Sequence, residues 1–516
     1  MSGTSTPSAE TRAPQGVRPR PKLSGRRPLA VVDIGSNSVR LVVYENETRA
    51  AATLHNEKSI CGIGRDMVST GRLHAEGCSQ ALQALARFRM LADGLGTVTR
   101  EAVATAAARD ASNGQDFVRR AEAAWGAPVR VLSGQEEARL AAHGVVAGIP
   151  HADGLVADLG GGSLDMVSVR HGQTGDAFTL PIGPLRLMDA AKGDPDKARK
   201  LVDEDLARLH LIGLKDSALY AVGGIWRSFA RVDMEETHYP LKVLQEYEIP
   251  RRRALRLCDL LAHQSRKSIE KMKSVSKRRA EALPYGAIVL ERLLLACDLK
   301  SVVISAYGLR EGLLYARLTP EERALDPLIA FAEGINARLA RNEDHALEMF
   351  EWMSVLFAGE TPELRRVRLA ACLFSDIAWR RHPDDRAEGA LKQVLTAPFA
   401  GASHRIRAMI ASAVFHRYSG DEDFPPDIVN PELLNAEDEA RALVIGLACR
   451  LGFALSASSP GALPQYRLRL TPAKIVLNLS RRNEDIGGDP VHKRLTELAA
   501  AFGRKGEIWS SDPAAI

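Results

Sequence analysis

The sequence predicts an α/β protein made of two duplicated lobes, followed by an all-α C-terminal domain that ends in a small β segment. Three observations carry that expectation. A turn of the form D-x-G-x-x-S stands twice between β-rich runs, at Asp33 and at Asp158. From about residue 29 to 318, strand-like and helix-like segments alternate, as they do in layered α/β folds. After about residue 320 strand patterns give way to apolar residues at three- and four-residue spacing, the mark of amphipathic helices.

With 516 residues the chain has room for roughly three domains of ordinary size. We divide it into a tail over 1–28, a first α/β lobe over 29–148, a second over 149–318 and a helical domain over 319–516. Hydrophobic residues at 45% and charged ones at 26% describe an ordinary globular protein. The formal charge of +5 resides in the tail, where six basic side chains face Glu10, and the rest of the chain is formally neutral. The tail is rich in Ser, Thr, Pro and Gly without an apolar run, so it is expected to be disordered, and it lacks the apolar core of a secretory signal. No segment approaches the ~20 uninterrupted apolar residues of a membrane span. The six cysteines are scattered without a C-x-x-C pair, which points to reduced thiols in a cytoplasmic protein.

The first lobe opens with "LAVVDIGSNSVRLVVYE", a strand, a polar glycine-containing turn and a second strand. A short strand into Thr105 follows, then a turn at 112–114, a helix over roughly 115–125, a strand at 129–132 and a helix opened by Ser133. Ser133 with Glu136 three residues on fits a capping box. Glu137 is not needed for that cap; it is either a solvated acid favoured by the helix dipole or a functional group.

The second lobe opens with "GLVADLGGGSLDMVSV". Laid over the first turn, Asp33 matches Asp158, Gly35 matches Gly160, Ser38 matches Ser163, and Arg40 falls opposite Asp165. A hairpin needs about two such flexible residues, so the run Gly160, Gly161, Gly162 indicates that something is held there. In turns of this kind N–H groups and a Ser hydroxyl converge on anionic oxygens, while the Asp holds a cation or orients water. A third element, "ALYAVGGIWRSFA", runs from strand through Gly223 and Gly224 into a helix; it is either a packing corner or a further phosphate contact.

Taken in order, "VVDIGSNSVRLVV", "VATAAARDASNG", "VLSGQEEARLAAHGV", "VADLGGGSLDMVSV", "LPIGPLRL", "AVGGIWRSFAR", "RRAEALPYGAIVLERLL" and "ISAYGLREGLLY" resemble the exopolyphosphatase and guanosine pentaphosphate phosphohydrolase family. The resemblance implies an actin-like, ribonuclease-H-like duplicated fold. It implies that Glu137 is the base on the attacking water and that Asp158 helps to bind Mg²⁺. It also implies that Gly160, Gly161, Gly162 and Ser163 hold phosphate. Ser36, Asn37 and Ser38 are candidate donors to the end phosphate from the first lobe. Asp33 and Asp165 join Asp158 as candidate metal ligands, although the family usually has Glu at the position of Asp165. Arg109 is a candidate phosphate clamp, or else a surface ion-pair partner of Asp110 or Glu101.

The activity implied is release of orthophosphate from inorganic polyphosphate, or removal of the 5′ terminal phosphate of pppGpp, a nucleotide of the stringent response. Rivals on the same fold are an actin-like ATPase or sugar kinase and a nucleotide sensor. Polyphosphate and pppGpp or ppGpp are the expected partners, with neither membrane nor specific nucleic acid, in a homodimer. The run "SRKSIEKMKSVSKRRA" is expected as a helix whose Lys267, Lys271, Lys273, Lys277, Arg278 and Arg279 form either a polyanion track or a solvated face. The helical third resembles an HD-like extension, but Ser375 precedes Asp376 where a metal-dependent site would have His, and His345, His382, His404 and His416 are scattered. We read this domain as scaffold, dimer interface and channel wall. The alternating stretch "YRLRLTPAKIVLNLS" predicts a terminal hairpin or sheet.

Overall fold

A computed structural model describes residues 27–65, 67–209, 214–420, 433–480 and 485–511. Residues 1–26 of the expected tail lie outside the described residues. Its last two are tied down: the Arg27 N–H donates to Asn46 Oδ1, and the Pro28 carbonyl accepts from Val98.

The first sheet contains β1 (Leu29–Ile34), β2 (Ser38–Tyr44), β3 (Thr53–Ile60), β4 (Thr99–Ala104) and β5 (Arg130–Val131), in the order β3-β2-β1-β4-β5. The second contains β6 (Gly154–Leu159), β7 (Leu164–Arg170), β8 (Gln173–Leu180), β9 (Ala218–Val222), β10 (Tyr247–Pro250) and β11 (Ser301–Ile304), in the order β10-β11-β9-β6-β7-β8. Read from β3 and from β8, the two sheets follow one scheme, and β10 is an additional antiparallel edge. β1 pairs antiparallel with β2 and parallel with β4, just as β6 pairs with β7 and β9. The duplication extends to the turns. The Gly35 N–H donates to the Ser38 carbonyl at 3.0 Å, and the Gly160 N–H donates to the Ser163 carbonyl at 3.0 Å.

Side-chain alternation decides what covers each face. Ala30, Val32 and Ile34 of β1 pack with Phe88, Phe117 and Trp125 from helices Ala75–Gly94 and Gly114–Trp125. Leu29 and Val31 face the other way, toward Leu313 and Leu314 of helix Leu309–Arg317. In the second sheet Leu155, Ala157 and Leu159 pack with Trp226 and Phe229 of helix Gly224–Glu236. Val156, Val167 and Val169 meet Ala138, Ala142 and Val145 of helix Gly134–Gly148. The lobes therefore exchange helices: the one preceding β6 in the chain covers the second sheet, and the one following β11 returns to the first.

These two helices cross backbone to backbone. A methyl group on Gly144 would stand 2.1 Å from the Gly308 carbonyl oxygen, and one on Gly312 would stand 1.8 Å from that of Leu140. Only hydrogen fits at these positions.

From Pro327 onward the chain is helical, around Met349, Phe350, Phe374, Met409, Ile410 and Leu447. Buried Arg407 donates from Nη1 to the carbonyls of Leu395 and Ala397 and from Nη2 to that of Phe399. Asp376 is buried and takes a fork from Arg341 at 2.8 and 3.0 Å, and the His345 ring bonds Ser456 Oγ at 2.7 Å. The expected hairpin forms from β12 (Arg467–Leu470) and β13 (Lys474–Ser480). β14 (Lys505–Ser511), which the sequence did not single out, adds parallel to β13 after helix Asp489–Ala501.

Several contacts join the helical domain to the lobes, among them an ion pair of Arg338 with Glu45 and a hydrogen bond from Arg49 Nε to the Leu325 carbonyl at 3.1 Å. The Gly401 N–H caps the Gly148 carbonyl at 2.7 Å, and the His404 ring bonds the Tyr239 hydroxyl at 2.8 Å and the Gln245 carbonyl at 3.1 Å. All six cysteines are buried and unpaired. Among the described residues no helix is long and apolar enough to cross a membrane.

Candidate active site

Both duplicated turns open onto one cleft of about 750 Å³ between the lobes. The first contributes Asp33 and the stretch Gly35 to Ser38; the second contributes Asp158 and the stretch Gly160 to Ser163. Gly223 and Gly224 close one side, where β9 passes into helix Gly224–Glu236. Gly223 has φ 112°, and a methyl there would meet the Leu159 carbonyl oxygen at 2.6 Å. The corner has no side-chain cap, so the orphan N–H groups of the helix's first turn are left to face the cleft.

Glu137 enters this cleft because its neighbour does the capping. The Ser133 N–H donates to Glu136 Oε2 at 2.9 Å and the Glu136 N–H donates to Ser133 Oγ at 3.2 Å, which closes the capping box without Glu137. The Glu137 side chain is 16% exposed, and its buried Oε2 has no hydrogen-bond partner. Arg109 Nη1 lies 3.7 Å from that oxygen.

Burial pushes the Glu137 carboxyl well above the usual carboxylate range, and the charges of Asp165, Asp158 and Asp33 add to the effect against Arg109. Asp158 is pushed up to about 7, first by burial and then by Asp165, with Arg227 opposing. Burial also raises Asp165, against hydrogen bonds from Thr179 Oγ1 at 2.8 Å and Ser163 Oγ at 3.1 Å. Asp33 is raised by burial and held back by Arg310, whose Nη1 is 3.5 Å from Oδ2. Four acids thus share a space that resists their ionisation.

The facing wall is crowded with cations. Arg227 is pushed down to about 10 by burial and by Arg310. Lys58 is lowered by burial and then by Arg279, Arg40, Arg227 and Arg310. Arg40 Nε donates to Asn56 Oδ1 at 2.8 Å, and Arg279 Nη1 donates to Ser228 Oγ at 3.0 Å. Arg231 and Arg278 complete the lining. Like charges brought this close gain from an anion among them, and a guanidinium matches phosphate oxygens in a fork.

Of the residues singled out from the sequence, Ser36, Asn37, Ser38, Gly160, Gly161, Gly162, Ser163, Gly223, Gly224, Asp33, Asp158 and Glu137 line the cleft. Asp165 stands behind the second turn, 3% exposed, in register with Asp158. Arg109 lies off the cleft lining, bonded through Nε to Asp110 at 2.9 Å and through Nη1 to the Leu132 carbonyl.

The basic run is not the continuous helix expected. It breaks into a short helix Arg266–Ile269, turns, and a 3₁₀ turn Lys277–Arg279, because Ile269 and Val275 are drawn into the core, with Met272 packed against it, while Lys271 and Lys273 stay exposed. Arg278 and Arg279 reach the cleft; Lys267, Lys271, Lys273 and Lys277 are exposed outside its lining. Sequence reasoning missed Arg227, Arg310 and Lys58, and it gave Arg40 no role. Arg40 and Arg227 carried a signal in their positions, one at the template site opposite Asp33 and one just inside the helix after the glycine pair. Arg310 and Lys58 carried none.

The chain matches the Ppx/GppA phosphatase family over residues 41–321, more than half its length. It also matches the family described as "Exopolyphosphatase, C-terminal" over residues 328–509. Retrograde regulation protein 2 of Saccharomyces cerevisiae is 26% identical over 469 residues, which are 80% of this chain and 77% of the yeast protein. Two solved structures share the fold of the lobes. An exopolyphosphatase from Cytophaga hutchinsonii has TM-score 0.52 and 24% identity, covering 56% of this chain and 97% of that one. The Ppx/GppA enzyme of Aquifex aeolicus has TM-score 0.51 and 24% identity, covering 57% and 100%. With paired actin-like lobes, a shared glycine-rich cleft and a helical domain behind them, the chain belongs to the Ppx/GppA phosphatase family.

Proposed function

We propose that this chain hydrolyses the terminal phosphoanhydride bond of inorganic polyphosphate and releases orthophosphate. The observation that carries the reading is the buried, unbonded Oε2 of Glu137, set between two phosphate-type turns and opposite a wall of mutually repelling cations. Phosphoryl transfer needs an in-line water and stabilisation of charge on the equatorial oxygens, with little covalent chemistry. Glu137 takes the proton of the water; its burial makes the carboxylate a stronger base than a solvated one. N–H groups of Gly160 to Gly162 and of the Gly223–Gly224 corner hold the terminal phosphate, with Ser36, Asn37 and Ser38 opposite. Arg227, Arg279, Arg40 and Lys58 hold the following units. Arg109, bonded to Asp110, fixes Glu137 from behind.

Mg²⁺ fits the acids of this site. Among the described residues no three His, Cys, Asp or Glu side chains form a closed metal shell, but Mg²⁺ is usually held by one or two carboxylates together with substrate phosphates and water. Asp158, whose ionisation the site opposes, lines the cleft and would hold it, with Asp33 nearby and Asp165 acting through Asp158. Bound there, the ion would neutralise the carboxylates and draw charge from the transferred phosphoryl group.

Removal of the 5′ terminal phosphate of pppGpp uses the same parts. The name of the yeast relative favours a further reading as a regulator. Phosphate release from long-chain polyphosphate, pppGpp and ATP, measured side by side with Mg²⁺, separates these readings. Polyphosphate is expected to turn over fastest, pppGpp more slowly and ATP little, and all of it falls by about 10²-fold or more in Glu137→Gln. Equal rates in Glu137→Gln would overturn the assignment of the base, and absence of release from all three substrates would favour the regulator.

A further inference from the structure

A second cavity, of about 580 Å³, adjoins the cleft and shares one wall residue with it, Arg231. Its chemistry differs from that of the cleft. One side is apolar and aromatic: Met234 from the end of helix Gly224–Glu236, and Tyr239 and Leu244 from the segment that follows. The other side is charged, with Arg231, Lys242 and Lys273 outnumbering the acid Glu235 and with His238 beside them; the three cations are exposed, and among the described residues no ion pair engages any of them. The loop carrying Lys273 is pinned over the cavity because the Ser274 N–H donates to Glu235 Oε2 at 3.2 Å. Tyr239 is held with its hydroxyl on His404 and its ring edge-on to Tyr247, centroids 4.8 Å apart.

A bare polyanion uses cations and has no use for a methionine, a tyrosine ring and a leucine presented together. A purely apolar ligand leaves three cations unanswered. A purine nucleotide uses both, its base against Met234, Tyr239 and Leu244 and its phosphates on Arg231, Lys242 and Lys273. The volume lies within the range of small-ligand pockets, roughly 300–1,000 Å³.

We infer that this cavity is a binding site for a purine nucleoside diphosphate or triphosphate, separate from the catalytic turns and touching the polyphosphate path at Arg231. A nucleotide seated there also leans on Tyr239, and through it on the His404 contact of the helical domain.

The test uses the full chain, isotopically labelled at methionine methyl groups, with the Met234 resonance assigned through Met234→Leu. ADP is titrated against pyrophosphate and adenosine. The expected result is a saturable shift of the Met234 resonance with ADP and none with pyrophosphate. In Lys242→Glu combined with Lys273→Glu, ADP affinity is expected to fall about tenfold or more, the scale of losing charge-assisted phosphate contacts. Three results would overturn the inference: a Met234 resonance unmoved by ADP, an equal shift with pyrophosphate (which makes the cavity a stretch of polyanion path), or unchanged affinity in the double variant. Because nothing is hydrolysed in this measurement, its failure leaves the proposed phosphatase reaction standing.

Discussion

The two turns share a backbone and differ in charge. Asp33 stands in register with Arg40 and within 3.5 Å of Arg310, whereas Asp158 stands in register with Asp165, acid across from acid. Duplication fixed where the N–H groups point; substitution of a few side chains then gave the halves different tasks. The first turn has balanced charge and is suited to receive anionic oxygens. The second is loaded with acid and faces the helix that brings Glu137, which suits it to the proton and Mg²⁺ roles proposed above.

The largest test of that division is on the acid side. Glu137→Gln removes the proposed proton acceptor while keeping shape, and kcat for phosphate release is expected to fall by about 10² to 10⁴ with KM little changed. On the balanced side, Arg310→Met leaves half-buried Asp33 without its nearest cation. We expect a loss of about 1 kcal/mol in chemical denaturation, between the scales of an exposed and a buried pair. If that variant is as stable as the parent, the first turn does not depend on its pairing and the contrast weakens.

Asp165→Asn separates proton control from contact. Asp165 raises both Glu137 and Asp158, so removing its charge lowers both and moves the acid limb of the pH–kcat profile to lower pH. Since Asp165 does not line the cleft, kcat at the optimum should change less than about tenfold. A loss without a shift of the limb would show that Asp165 serves by position alone.

The smallest effect is on stability. A group whose folded pKa is raised stabilises fully below its unfolded pKa, and that contribution is lost as pH rises through the folded value. Asp158 titrates near 7 in the folded protein, and Glu137 is raised further. Buried His345 and His404, pushed down to about 4, have the opposite sign, but only below the ordinary histidine pKa of about 6.5. Between about pH 6.5 and 8.5 the melting temperature of the metal-free protein should therefore fall as pH rises, by a few degrees at ~2–4 °C per kcal/mol. Saturating Mg²⁺ should flatten the slope, and a slope unaffected by Mg²⁺ would remove the cation from the second turn.

What the sequence revealed follows the range of the interactions involved. Each turn was legible because Asp, Gly and Ser at fixed offsets are demands of local backbone geometry, and the Ser133 cap because it closes within four residues. The helical domain was legible from its periodicity. The cation wall was not, because Arg40, Lys58, Arg227, Arg279 and Arg310 meet only after two lobes have closed on one another. The basic run misled for a related reason: its charges are evenly spread, and tertiary burial of Ile269 and Val275 decides where it bends. β14 escaped because its partner β13 lies across a helix.

The contact of Gly144 with Gly308 and of Gly312 with Leu140 behaves as a bearing. Two rods that touch without teeth can roll on each other but cannot separate without opening a void, which close-packed interiors resist. Glu137 rides on one of those rods, less than one turn from Leu140 and about two turns from Gly144. Any swivel of the lobes about this contact would therefore alter what stands in front of the acid more than where the acid itself is mounted.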